Sequence, residues 1–203
     1  QALVDGLVGD GYTYTKTRAE LQAATGQVYA VNYGNDVGVR GYALPYTLDE
    51  TADHITLTEF TQKGIELLEG DPEGFFLMVE GGKIDWAGHA NDAAANIKNT
   101  IRFDETVELA LQFYDAHPDE TLIVVTGDHE CGGMTLGFAG TAYGTWYELV
   151  DAQDISYEAY DAELGALLDS GTPPATLADL YANIEGHFGL DMDDNGTGVA
   201  ITA

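Results

Sequence analysis

Two segments of the chain each deliver a carboxylate and an imidazole. The first is Glu80-Gly81-Gly82-Lys83-Ile84-Asp85-Trp86-Ala87-Gly88-His89, which follows the apolar run Phe75–Val79. The second is Gly127-Asp128-His129-Glu130-Cys131-Gly132-Gly133, which follows Thr121–Thr126. Together Glu80, Asp85, His89, Asp128 and His129 suit divalent metals. Imidazole with carboxylate favours zinc, and carboxylate alone favours magnesium. Asp85 and His89 are four residues apart, so both point one way if the segment begins a helical turn. The adjacent Asp128 and His129 can serve two metals, or one metal from two directions. The glycines permit tight turns and close approach of a ligand to the backbone. A single Asp-His dipeptide in an acidic chain is usually incidental. Two histidines and three carboxylates at the ends of the two most apolar runs, with Gly-Gly beside each, point instead to a metal site.

The elements that must hold these residues follow from periodicity. Phe75–Glu80 and Thr121–Gly127 are continuous apolar runs bounded by turn residues, which predicts strands buried on both faces of a parallel sheet. Tyr12–Thr15 is a short β-prone segment after a Gly-Asp-Gly turn, and Val28–Asn32 is a weaker fourth strand. Thr17 with Glu20 has capping-box spacing for a helix through Ala24, and Thr56 with Glu59 repeats it at the head of Thr56–Glu69. Ala93–Tyr114 places Ile97, Ile101, Val107, Leu111 and Tyr114 at near-helical spacing, and Pro118 prevents continuation. Strands alternating with helices predict an α/β fold. In such sheets function sits past the carboxyl ends of the strands, where both donor segments fall.

After about Gly140 the character changes. Asp151–Leu168 is acidic and helical in pattern, Thr172-Pro173-Pro174 interrupts it, and Leu177–His187 is a second amphipathic helix. Residues 1–139 therefore read as an α/β unit, and 140–203 as an acidic, mostly helical insertion or cap with a loop-like end. Within that end, Asp191, Asp193, Asn195 and Gly196 match positions of a calcium-binding loop. Position twelve is Thr202 instead of Glu, and no partner helix follows, so an acidic Asn-Gly turn is the competing reading.

The chain has 203 residues, 35 Asp and Glu against 7 Lys and Arg, and a formal net charge of −28. That surface repels nucleic acid and anionic membranes, and it keeps a protein soluble at high salt. The single cysteine, Cys131, excludes an internal disulfide. No apolar run approaches the roughly 20 residues of a membrane-spanning helix. The acidity suggests an extracellular or periplasmic protein from a salty setting. Gln1 in place of Met leads us to expect a piece of a longer or processed protein.

Phe75–Ala94 and Thr121–Gly133 resemble the alkaline phosphatases. The first is similar to the family's segment with a Glu, then Ile-Asp, then His, and the second to the segment with its Asp-His pair. The likeness extends over roughly Leu44 to Leu136, including the helix with Phe103-Asp104-Glu105, and more loosely over Tyr12–Leu21. It implies a three-layer αβα sandwich with a mainly parallel sheet and hydrolysis of phosphate monoesters through a phosphoserine intermediate. Asp85 and His89 would bind a first zinc, Asp128 and His129 a second, and Glu80 a magnesium. Trp86 stands where some members carry Lys or His, so it would tune phosphate affinity, or else it is a packing residue. The resemblance also allows a homodimer.

Other parts of the family pattern are missing. No Asp-Ser-Ala nucleophile segment is found, and Arg18, Arg40 and Arg102 lie in the wrong contexts for the phosphate clamp. The nucleophile and clamp are expected upstream, which makes the chain a carboxyl-side fragment, inactive alone. His187, in Asn183–Leu190, does not resemble the family's last zinc ligand, and His54 and His117 read as surface residues. The alternatives are a phosphodiesterase, a sulfatase or a phosphoglycerate mutase of the same superfamily, or a non-catalytic metal-binding domain.

Overall fold

The computed structural model describes residues 2–32, 43–134, 142–169, 175–193, 196 and 198–200. The first helix, α1 (Ala2–Gly9), leads through a turn into β1 (Thr13–Thr15). β1 pairs in parallel with β2 (Val28–Ala30), with Thr13 opposite Val28 and Thr15 opposite Ala30. Helix α2 (Arg18–Ala23) makes the crossover that parallel pairing requires. It starts where expected: the Thr17 side chain accepts from the Glu20 N–H, and the Glu20 side chain returns to the Thr17 N–H.

The same reciprocal cap opens α3 (Leu57–Leu68) at Thr56 and Glu59. Helix α4 (Gly82–His89) carries the first donor segment, and α5 (Ala93–Ala116) follows after two turn residues. Asp92 caps α5 by accepting from the Ala95 N–H at 3.0 Å. Small residues let α4 and α5 approach closely: Ala87, Ala94 and Ala95 are buried, and Tyr46 packs with Ala87 and Ala95 in the core. Asn96 on α5 donates to the Ile84 carbonyl of α4 at 2.9 Å. Helices α3 and α5 meet through the Thr58 and Thr106 hydroxyls, 3.0 Å apart.

The two long apolar runs depart from expectation. Residues 75–80 and 121–127 carry no regular secondary structure and join no ladder among the described residues. Nor are they buried on both faces. Phe76 is 88% exposed and Leu122 87% exposed, and Met78 and Val124 are also open. In the first run, alternate side chains meet the helices. Phe75 packs edge-on against Phe113 of α5, and Leu77 fits over Gly64 of α3. Residues 75–79 thus cover one helical layer and leave the opposite face uncovered. An apolar run fixes that a face can be buried, whereas the fold decides which faces are.

In the acidic region the single expected helical stretch over Asp151–Leu168 is two helices. They are α6 (Tyr147–Ala152) and α7 (Tyr157–Leu168), the latter capped by Ser156. Ser156 is fully buried because both its N–H and its hydroxyl donate to Asp49, at 2.9 and 2.6 Å. Asp92 accepts from Gln153 and from the Tyr157 N–H, each at 2.8 Å. Lys83 on α4 reaches Glu158 on α7 at 3.2 Å. The region is therefore fastened to the layer that carries the donor segments. Helix α8 (Leu177–Phe188) ends at Gly189 in the left-handed conformation (φ 62°). The expected loop beyond it instead contains a short parallel pair, β3 (Leu190–Asp191) with β4 (Val199–Ala200). Thr172–Pro174 and Arg40 lie outside the described residues. Among those residues, no helix is long and apolar enough to cross a membrane.

His54 corrects another expectation: it is 3% exposed. Its Nδ1 accepts from the Thr51 N–H at 2.9 Å, and its carbonyl accepts from Arg18. His117 is exposed, at the end of α5. Arg18 is engaged by Glu59 and by the Ala52 and His54 carbonyls, and the two terminal nitrogens of Arg102 by Glu105 and Glu50, while Arg102 Nε is buried without a hydrogen-bond partner.

Candidate metal centre

The donor segment 80–89 forms a helix because Gly81 turns the chain and 82–89 continues as α4. Asp85 and His89 then fall one turn apart on one face, with Oδ1 to Nε2 at 3.5 Å. That distance is an ion-pair contact and lies outside hydrogen-bond geometry for this pair. Asp85 Oδ1 is shielded from solvent, and the Asp85 side chain also meets the Cys131 thiol. A shielded carboxylate oxygen beside an imidazole fits a cation.

The second segment lies against the same helix. A side chain at Gly88 would meet the Cys131 carbonyl oxygen at 2.8 Å, so only hydrogen fits there. Gly132, at φ +80°, rests its α-carbon against the Gly88 backbone. This glycine-on-glycine contact brings the 128–131 loop to the face bearing Asp85 and His89. One ligand atom from each of Asp85, His89 and Cys131 falls within 4.8 Å of the other two.

Within the loop, the Asp128 carboxylate accepts from the His129 N–H at 3.1 Å. His129 Nδ1 lies 2.9 Å from the Glu130 carbonyl oxygen, which requires Nδ1 to carry the proton, leaving Nε2 to face Asp128 Oδ2 at 3.5 Å. The Glu130 carbonyl raises the His129 pKa above its ordinary value, and the charges of Asp128 and Asp85 add to the effect. Partial burial, then Asp85, pushes the Cys131 thiol up.

Glu80 and Trp86 lie together around a recess of about 240 Å³ that Lys83, Asn99 and Arg102 also line. Trp86 packs on the Tyr46, Ala87 and Ala95 cluster, and the Lys83 ammonium sits 4.2 Å over its ring. The packing side of the Trp86 alternative is thus visible in its contacts.

His187 is held elsewhere, by Asp154 at 2.7 Å and Glu163 at 3.0 Å. Asp191 and Asp193 come together with Glu185, which the calcium-loop pattern does not include, and Asn195 lies outside the described residues. Asp191 is buried and accepts from the Gly196 N–H at 2.7 Å, as an acidic turn does.

Sequence reasoning missed Cys131, which entered only as the absence of a disulfide. Its position two residues past His129, before Gly-Gly, was the available signal.

The class defined here is an α/β protein with a candidate metal centre, in which carboxylate and imidazole side chains meet at one helix face. A model of the alkaline phosphatase family matches residues 1–187. The chain is 41% identical over 99 residues to alkaline phosphatase 3 of Bacillus subtilis, covering 48% of this chain and 21% of that protein. It is 49% identical over 79 residues to alkaline phosphatase H of Pseudomonas aeruginosa, covering 39% and 16%. The structure of a cold-active alkaline phosphatase from the psychrophile Shewanella sp. superposes with a TM-score of 0.73 at 30% identity. It covers 95% of this chain and 44% of that one. Thermus thermophilus alkaline phosphatase gives 0.76 at 27% identity, covering 95% and 39%. The chain belongs to the alkaline phosphatase family and has its α/β fold. It spans less than half the length of those two structures.

Proposed function

We propose that the protein carrying this chain hydrolyses phosphate monoesters through a phosphoserine intermediate. Asp85 and His89 hold one zinc, Asp128 and His129 a second, and Glu80 a magnesium. The observation that carries this reading is the convergence of the 128–131 loop on the Asp85–His89 turn of α4. Bound there, the metals would supply Lewis acidity to the attacking and leaving oxygens of an in-line phosphoryl transfer.

The chain's own residues do the positioning. The bond between His129 Nδ1 and the Glu130 carbonyl fixes the tautomer that presents Nε2 as a donor. The Gly88–Gly132 contact sets the spacing between the two donor segments. Trp86, beside Glu80, bounds a recess suited to tuning phosphate affinity. Residues 140–203 act as a cap over this layer, a reading supported by the Lys83–Glu158 and Asp92–Tyr157 contacts. Asp191, Asp193 and Asn195 remain a secondary calcium candidate. The charge of −28 supports an extracellular or periplasmic setting.

The isolated chain holds two protein ligands for each zinc and lacks a recognisable nucleophile, so we expect it to be inactive alone. The test is phosphomonoesterase turnover, with Asp128→Ala as control. The longer protein should turn over and lose activity with Asp128→Ala. Activity of the isolated chain that survived repurification and disappeared with Asp128→Ala would refute the expected inactivity. A longer protein indifferent to Asp128→Ala would refute the site assignment.

A further inference from the structure

We propose that Glu158 on α7 is a positioning residue for the phosphate site: through Lys83 it holds the Trp86 indole in place at the recess that Glu80 shares. The acidic region is thereby a working part of the site as well as a cover over it. The proposal rests on the reading of Trp86 as a residue that tunes phosphate affinity, and adds what sets the Trp86 position.

The geometry around Lys83 carries it. Lys83 is 8% exposed, and an ammonium taken that far out of water must be paired. Its Nζ lies 4.0 Å from the centroid of the Tyr46 ring and 4.2 Å from that of Trp86. Both distances fall within the range of cation–π attraction. Glu158 Oε2 closes a third side at 3.2 Å, and its own side chain is largely buried. Lys83 and Trp86 are three residues apart on α4, so they are neighbours on the helix surface. Tyr46 is fully buried and forms the fixed wall against which the ammonium is held.

The start of α7 delivers Glu158 to this spot. Ser156 donates twice to Asp49, the Tyr157 N–H donates to Asp92, and the Tyr157 and Tyr46 hydroxyls lie 3.2 Å apart. Glu158 follows directly, in the first turn of α7, where the helix dipole favours a carboxylate. A buried ion pair adds little net stability over apolar packing, which places its value in geometry. The geometry at stake is that of Trp86, which lines one recess with Glu80 and Lys83. A neutral side chain at 158 removes the attraction that keeps the ammonium between the rings. Glu80, on the same recess, then competes for Lys83, and the indole loses its cation contact.

The test measures inhibition by inorganic phosphate during hydrolysis of para-nitrophenyl phosphate, on the longer protein that carries this chain. Glu158→Gln and Lys83→Met should each raise KM and the phosphate inhibition constant together by about tenfold, with kcat within about twofold of the wild type. Trp86→Ala should reproduce that shift. Lys83→Arg keeps a cation over the rings and should shift both constants less than Lys83→Met. The double variant Lys83→Met with Glu158→Gln should be no worse than either single variant, because both act through one contact. It also buries no lone charge, so it decides the matter if a single variant fails to fold. Near-ultraviolet circular dichroism checks folding. Glu163→Gln, on the same helix, breaks the contacts to His187 and Asn183 and should cost stability while leaving all three constants unchanged. An unchanged phosphate constant in Trp86→Ala would overturn the reading of Trp86 and the proposal with it. A shift in Trp86→Ala without one in the Lys83 and Glu158 variants would overturn the proposal alone. An equal shift in Glu163→Gln would also overturn it, by reducing Glu158 to a general support of the acidic region.

Discussion

Replacing Gly132 with alanine isolates the contact that assembles the site. The new Cβ would lie 3.0 and 3.1 Å from the carbonyl carbon and α-carbon of Gly88, and closer still to its oxygen. Ordinary contact begins at 3.4 Å, and every neighbour is backbone, so no side chain can rotate away. The loop must therefore lift from α4. Two costs separate. An alanine at φ +80° is strained by about 1–2 kcal/mol wherever it stands. Moving the supporting shell of a metal site typically costs 10–100-fold in affinity, or about 1.4–2.7 kcal/mol. Gly133→Ala supplies the control, because its φ is +57° but nothing lies within 4 Å of the added Cβ. It pays the conformational cost alone. Gly88→Ala supplies the converse: helix propensity improves by about 1 kcal/mol, while its Cβ meets the Cys131 oxygen at 2.8 Å. Zinc calorimetry on the metal-free protein, with urea unfolding alongside, should find affinity lowered roughly 10–100-fold in Gly132→Ala and Gly88→Ala. Gly133→Ala should lose stability and keep affinity. Wild-type zinc affinity in Gly132→Ala, or an equal loss in Gly133→Ala, would refute the reasoning.

Asp92→Ala removes the cap of α5, the acceptor of the Tyr157 N–H and one of the two acceptors of Gln153 Nε2, so unfolding free energy should fall by about 3 kcal/mol; a loss below about 1 kcal/mol in urea titration would show that these bonds are replaceable. Burial opposes protonation of His187, but the hydrogen bonds it donates to Asp154 and Glu163 prevail and raise its pKa above 6.5. Its stabilising contribution is then complete below 6.5 and disappears as pH rises through the folded value, so His187→Gln should flatten stability against pH in that window. Thermal melts in increasing NaCl should move upward as salt screens a charge of −28, and a flat series would count against a saline setting.

Local chemistry was the most legible part of this chain. Both capping boxes, Thr17 with Glu20 and Thr56 with Glu59, form as their spacing requires, because a cap involves residues within one turn. The Asp85–His89 pairing was legible for the same reason: the helical period alone brings residues four apart together. Burial was less legible. Phe76 and Leu122 belong to apolar runs yet face outward, whereas His54 reads as a surface residue yet is buried under Arg18 and the Thr51 turn. Hydropathy states what a side chain tolerates, and the neighbouring elements decide what it meets.

The sequence by itself determined the donor types, their positions after two apolar runs, the starts of α2, α3, α5 and α8, and the resemblance to a family. Only the tertiary structure decided that Cys131 stands beside Asp85 and His89, and that Glu80 shares its recess with Trp86. The physical reason is that the 128–133 loop reaches α4 only after the chain has passed through α5 and turned back. Where it lands depends on two glycines, Gly88 and Gly132, touching across that distance, and no periodicity or local propensity encodes such a contact.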